Sequence, residues 1–136
     1  PIVTLPKDSE VSGIVLVIDD EQPVRETVRD ILESSGIFVI DAENGRRGID
    51  HFTRYHDEID VVIIDMQMPL LNGTDTLKAL REIQPDVKAI LSSGYSESEP
   101  ARNLLRNEHT LFLPKPYDSE NLLGKVYQLS KFWPPQ

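Results

Sequence analysis

Solid apolar runs alternate along this chain with stretches that carry apolar residues at helical spacing. The most informative run is Val61-Val62-Ile63-Ile64, four β-branched residues that lead without polar alternation into Asp65. Such a run suits a strand buried on both faces, as in a parallel sheet covered by helices. A strand core does not hold a bare charge, so Asp65 belongs at the strand's C-terminal end. Ile14-Val15-Leu16-Val17-Ile18 repeats the pattern and ends in Asp19-Asp20-Glu21. Ile37-Phe38-Val39-Ile40, residues 59–64, residues 87–91 and Leu111-Phe112-Leu113 complete the predicted strands.

The intervals between strands read as helices. Pro23 suits a first helical turn, Val24, Val28, Ile31 and Leu32 follow at helical spacing, and Gly36 closes the helix in a left-handed cap. Asn44-Gly45 is a turn, and Ile49, Phe52 and Tyr55 predict an amphipathic helix from about Arg46. Pro69 and Asn72-Gly73 make a loop before a helix marked by Leu77, Leu80 and Ile83, which Gln84-Pro85-Asp86 ends. Pro100 and Leu104-Leu105 fall in a short, weakly held helix. Leu122, Leu123, Val126 and Leu129 define the last one.

Five strand–helix units with short connections imply right-handed crossovers and a parallel sheet. A length of 136 residues suits one domain with a real core. We expect that domain to span residues 14–131. Residues 1–13 read as a linker or the remnant of an upstream domain, because Pro1 stands where a methionine would open a whole protein. Residues 132–136, with Phe132 and Trp133, read as a C-terminal tail, either a clasp on the core or the start of a linker.

Composition narrows the chemistry. The chain has no cysteine, which excludes disulfide scaffolds, zinc–thiolate sites and cysteine nucleophiles and is compatible with a reducing cytoplasm. A net charge of −9 argues against a basic nucleic-acid face, while clustered carboxylates can hold a hard cation. No apolar run reaches the length of a membrane span, and nothing reads as a signal peptide. His51, His56 and His109 are scattered and read as surface or structural histidines. Arg46-Arg47 reads as a solvated helix start.

Asp19, Asp20, Asp65, Ser93 and Lys115 all follow apolar strands. In a parallel sheet those ends share one edge, the edge at which open α/β sheets bind ligands. Three carboxylates brought together repel unless a cation or proton intervenes. Oxygen donors without histidine or cysteine select a hard ion such as Mg²⁺. Lys115 supplies a point charge for a phosphate or carboxylate, and Ser93 a hydroxyl donor. Singly, each has a bland alternative: the acids as a helix cap, Ser92-Ser93-Gly94 as a turn, Lys115 as a solvated lysine. Four strand ends polar by accident is the poorer explanation.

The motifs Val15-Leu16-Val17-Ile18-Asp19-Asp20-Glu21, Ile63-Ile64-Asp65-Met66-Gln67-Met68-Pro69 with Asn72-Gly73, Leu91-Ser92-Ser93-Gly94-Tyr95 and Leu113-Pro114-Lys115-Pro116 together resemble the receiver domain of bacterial two-component response regulators. The resemblance implies a flavodoxin-like, doubly wound five-stranded parallel sheet of order 2-1-3-4-5 with five helices. It implies that Asp65 is the phosphoacceptor, that Asp20, Asp65 and the backbone carbonyl of Gln67 ligate Mg²⁺ (or Mn²⁺), and that Asp19 acts through water. Ser93 and Lys115 would bind the phosphoryl oxygens. Ser93 and Phe112 would form the switch that alters the surface of the fourth helix, fifth strand and fifth helix, and Gln67 and Tyr95 would tune phosphoryl lifetime. Lys115-Pro116 is a cis candidate. The implied partners are a histidine kinase or a histidine phosphotransfer domain, with no nucleic acid or direct membrane contact, in the cytoplasm. Ser93 departs from the family's more usual threonine and keeps the hydroxyl. The Ser-Gly-Tyr version resembles receivers attached to hybrid sensor kinases, and Ile2-Val3-Thr4-Leu5-Pro6 resembles the closing strand of a kinase ATP-binding domain. The resemblance thus implies a receiver from the C-terminal end of a hybrid kinase, with a kinase core in the same chain; a free-standing regulator, or one missing an output domain, is the alternative.

Three rivals have distinct signatures. An aspartyl-phosphate phosphatase needs a second Asp two residues beyond the nucleophile, where this chain has Gln67. A flavin or nucleotide module needs glycines in the loop at residues 19–23, which is acidic instead. A non-phosphorylated interaction module has no need of the full set of acidic and basic site residues. The leading expectation is a signalling domain that assists its own phosphorylation and dephosphorylation and is only marginally an enzyme.

Overall fold

The apolar runs and helical spacings become five β–α units in the computed structural model, which describes residues 2–94 and 99–130, the side chains of residues 99–101 excepted. After a single 3₁₀ turn at Asp8–Glu10 the elements are β1 (Gly13–Ile18), α1 (Gln22–Glu33), β2 (Ile37–Ala42), α2 (Gly45–Tyr55), β3 (Val61–Asp65), α3 (Gly73–Ile83), β4 (Ala89–Ser93), α4 (Glu99–Leu105), β5 (Thr110–Pro114) and α5 (Ser119–Leu129). The strands form one sheet of order β2-β1-β3-β4-β5, every neighbouring pair parallel. This is the doubly wound, flavodoxin-like order expected above.

Strand alternation divides the core into two layers. Leu16, Ile18, Val62, Ile64 and Leu91 face α2 and α3, where Phe52, Leu77 and Leu80 are buried. Val15, Val17, Val61, Ile63 and Ile90 face α1 and α5, where Val28, Leu32, Leu122 and Val126 are buried. With helices on both faces, the central strands have no solvated side, which is why their sequences do not alternate with polar residues. Three helices start on side-chain caps: Asn44 Oδ1 accepts from Arg47 N at 2.8 Å, Asn72 Oδ1 from Asp75 N at 2.9 Å and Asp118 Oδ1 from Asn121 N at 2.7 Å. Gly36 has φ 81°, the left-handed value expected at the end of α1.

Two boundaries differ from the sequence expectation. The third strand starts at Val61, not Ile59, because Ile59 N still donates to Tyr55 O in the turn leaving α2, and Asp60 crosses to bind Ile14 instead. The fourth strand starts at Ala89, not Val87, and continues through Ser92 and Ser93. Val87 N is held in a turn by Gln84 O, whereas Ser92 and Ser93 pair with Leu113 and Pro114. The strand therefore runs two residues beyond its expected end at Leu91, and the turn weighed as the bland alternative at these serines gives way to buried strand. Tyr95 and the tail with Phe132 and Trp133 lie outside the described residues. No described helix is long and apolar enough to cross a membrane.

Candidate phosphoacceptor site

The C-terminal ends of β1, β3, β4 and β5 meet at one edge of the sheet and bring the predicted polar residues with them. Asp19 follows β1 directly; its N–H donates to Ala42 O at the end of β2, 3.0 Å away. Asp65 is the last residue of β3 and pairs with Ser92 of β4. Its backbone is crowded by α3: a Cβ on Gly73 would lie 2.6 Å from Asp65 O. That close approach explains the Asn72-Gly73 pair, with Asn72 capping the helix and Gly73 letting it reach the strand end. The intervening loop turns through Leu70, fully exposed with φ 70°.

Asp19 and Asp65 are almost wholly buried, at 1% and 3% exposure, while Asp20 is exposed. One carboxylate oxygen of each lies within 4.8 Å of the other two. Lys115 Nζ stands 2.9 Å from Asp19 Oδ2 and 3.4 Å from Asp65 Oδ2. Two backbone N–H groups complete the cage: Glu21 N donates to Asp19 Oδ1 at 2.9 Å and Gln67 N to Asp65 Oδ1 at 3.1 Å. Burial, and after it the charge of Asp19, push the Asp65 carboxyl up to about 7 against the pull of Gln67 N–H and Lys115. For Lys115, burial works against the ammonium, but the hydrogen bond and charge of Asp19, with Asp65 behind them, outweigh it and raise the pKa.

Ser93 closes the mouth of the site: its hydroxyl donates to Gln67 Oε1 at 2.7 Å. Lys115 is aimed by its own backbone, whose N–H donates to Ser93 O at 2.9 Å, and the following peptide bond to Pro116 is cis, as the sequence allowed. Phe112 is half-buried on the α2–α3 side of the sheet, packed against the same cluster as Leu104 of α4. Glu21, Asp65, Gln67, Gly94 and Lys115 line a cleft of about 400 Å³ over the carboxylates.

Asp19, Asp20, Asp65, Gln67, Ser93 and Lys115 are thus brought together as expected. Two further contributors were not foreseen. Arg25 reaches back from α1 to donate to the Asp19 carbonyl at 2.8 Å. Its signal was available: it shares the helix face of Val28 and Leu32, both buried, and an arginine on that face needs a partner. Tyr117 is hydrogen-bonded through its hydroxyl to Ser92 Oγ beneath the site. Burial foremost pushes its phenol up to about 12, so it stays protonated. Only its place two residues after Lys115 hinted at this.

The fold and site define a class: a doubly wound α/β domain with an acidic triad and a lysine at the C-terminal edge, beside the switch point of strand order. The chain belongs to the response regulator receiver domain family, whose model matches residues 15–127. It is 36% identical over 118 residues to the sensor kinase CckA of Brucella abortus (strain 2308), covering 87% of this chain and 12% of that protein. It is 31% identical over 112 residues to the transcriptional regulatory protein CpxR of Escherichia coli (strain K12), covering 82% of this chain and 47% of CpxR. Among solved structures, a receiver domain protein from Clostridium thermocellum superposes with TM-score 0.80 at 31% identity, covering 86% of this chain and 93% of the other. The chain therefore spans less than half the length of these two full-length relatives.

Proposed function

We propose that Asp65 accepts a phosphoryl group from a phosphohistidine donor. The observation that carries this reading is one buried carboxylate, at the open edge of the sheet, sharing a lysine ammonium with a second carboxylate. An Asp65 carboxylate oxygen attacks phosphorus in line, the new O–P bond forms as the N–P bond breaks, and the imidazole leaves with the bonding pair. Lys115, 3.4 Å from Asp65, offers charge to the transferred oxygens. Gln67 N–H already fixes one Asp65 oxygen and leaves the other on the Lys115 side. Ser93 exchanges Gln67 Oε1 for a phosphoryl oxygen after transfer.

Asp20, Asp65 and the Gln67 carbonyl fit Mg²⁺ or Mn²⁺, with Asp19 acting through water. The donor set is all oxygen, and three clustered carboxylates have one lysine ammonium beside them. When bound, the cation supplies charge neutralisation for the phosphoryl oxygens.

The donor is a histidine kinase or histidine phosphotransfer domain. The identity to CckA favours a receiver joined to a kinase core in one cytoplasmic chain, with residues 14–131 as the receiver, 1–13 as linker and 132–136 as tail. Incubation with acetyl phosphate and Mg²⁺ should add one phosphoryl group at Asp65, detected by intact mass and peptide mapping. Unchanged modification of Asp65→Ala would show the phosphoacceptor assignment to be wrong, and equal modification in EDTA would show the cation reading to be wrong.

A further inference from the structure

The cation reading above requires Asp20, an exposed side chain, to be held at a fixed angle to Asp65. The side chain of Asp20 reaches Asp65, and its backbone is placed by Asp19 before it. Asp19 is pinned at three atoms, by Ala42 O on its N–H, Glu21 N–H on Oδ1 and Lys115 on Oδ2. Its carbonyl is the fourth, and it belongs to the planar peptide that leads into Asp20. Whatever holds that oxygen sets the plane from which the Asp20 Cα departs.

Arg25 holds it. Nη1 donates to Asp19 O at 2.8 Å while Nε donates to Asp41 Oδ2 at 3.1 Å, so a single planar guanidinium bridges the acidic loop to the end of β2. The Arg25 side chain is only 14% exposed, which limits the access of water to the guanidinium. Asp41 is fixed in turn: its other oxygen accepts from Arg29 Nη2 at 3.0 Å, and Arg29 also donates to Val39 O. The chain of contacts therefore ends on strand backbone.

We propose that Arg25 is a positioning residue for the cation, setting the Asp19–Asp20 peptide through its bond to the Asp19 carbonyl, with Asp41 locking the guanidinium. The proposal rests on the cation reading given above, and it makes a prediction of opposite sign to plain electrostatics. A positive charge beside a cation site repels the cation, so deleting it should tighten binding. Losing a positioning residue should weaken binding instead.

The test is Mg²⁺ titration of the folded protein, followed by the amide shifts of Glu21 and Gln67 and by calorimetry, with thermal melts alongside. Arg25→Gln should weaken Mg²⁺ by about tenfold, the scale of a lost outer-sphere support. Arg25→Lys keeps the charge but not the fork, and should weaken Mg²⁺ by a similar factor. Asp41→Asn, a milder change that leaves Arg25 in place, should weaken it less. Phosphorylation of Asp65 should persist in all three at saturating Mg²⁺. Tighter Mg²⁺ binding in Arg25→Gln with wild-type affinity in Arg25→Lys would reduce Arg25 to a nearby charge and overturn the proposal. A lower melting temperature with unchanged affinity in all three would overturn it in favour of a purely scaffolding role. Wild-type protein that binds no Mg²⁺ while Asp65 is still phosphorylated would remove the cation reading and this proposal with it, leaving the phosphoacceptor assignment intact.

Discussion

Asp65 and Asp19 are two buried carboxylates with one ammonium between them. The carboxyl of Asp65 is displaced from 3.8 to about 7, by burial first and the Asp19 charge second. A carboxyl whose native pKa lies above its unfolded value keeps a proton that the unfolded chain has already released. Between about pH 4 and pH 7 the native state therefore holds more protons, and stability falls as pH rises; above pH 7 the loss is complete. At 1.36 kcal/mol per unit the whole effect is roughly 4 kcal/mol. Metal-free protein should accordingly melt lower at pH 8 than at pH 5.5. Asp65→Asn, which leaves Lys115 its shorter bond to Asp19, should melt higher than wild type by roughly 5–10 °C at pH 8 and differ little at pH 4. Thermal melts in EDTA across that range decide it; a variant less stable than wild type at pH 8 would mean that the Lys115–Asp65 pair outweighs the repulsion. Asp65 was legible in the sequence because an acid ending an apolar strand is conspicuous. Arg25 was legible only as a helix-face arginine in need of a partner, and Tyr117 hardly at all, because only the fold brings Asp19, Asp41 and Ser92 to them.

Among the elements, α4 is the shortest helix, seven residues from Glu99 to Leu105, and one buried residue, Leu104, anchors its described side chains. Arg81 at the end of α3 supplies a second tie, donating to Leu104 O at 3.3 Å and to Thr110 Oγ1 at 2.7 Å. Beside it, Phe112 is half-buried on β5. An element held by few apolar contacts opens at low free energy, so among the described helices α4 is expected to move with least cost. The lever is Ser93, which now donates to Gln67. A phosphoryl oxygen on Asp65 gives that hydroxyl a charged acceptor instead, and a differential contact of this kind is what shifts a conformational equilibrium. Ser93→Ala should still be phosphorylated by acetyl phosphate yet lose most of the change in hydrogen exchange across α4 and β5 that beryllofluoride induces in wild type. A full wild-type response in the alanine variant would place the coupling elsewhere. The sequence located this helix and its weakness from sparse apolar content. It misplaced the start of β4 and ended the strand two residues early, at Leu91, because a polar residue inside a buried strand is legible only once its hydrogen-bond partners are known.

At the scale of the molecule, chemistry gathers at the C-terminal edge of the sheet, while the opposite edge carries an attachment that the sequence did not reveal. Five units and a parallel sheet followed from alternation alone; the order of the strands followed from family likeness, since short connections permit several. Within residues 1–13, read as a linker or the remnant of an upstream domain, Val3 and Leu5 pack against the α2–α3 layer of the core. Tyr55, at the C-terminal end of α2, accepts from Val3 N at 2.8 Å and donates to Val3 O at 3.2 Å, so one hydroxyl satisfies both backbone groups of an entering strand-like segment. The Tyr55 ring is itself buried, at 8% exposure. Tyr55→Phe therefore removes both bonds and keeps the packing. A typical intramolecular hydrogen bond contributes about 1 kcal/mol, so the variant should lose about 1–2 kcal/mol of stability. The amide of Val3 should exchange much faster, and proteolysis should begin within residues 2–12. Because α2 leads into the start of β3, this attachment lies a full strand away from Asp65, and acetyl phosphate should label the variant at the wild-type rate. Unchanged Val3 exchange in Tyr55→Phe would show that Val3 and Leu5 hold the segment by packing alone; slowed labelling of Asp65 would show that the two edges of the sheet are coupled.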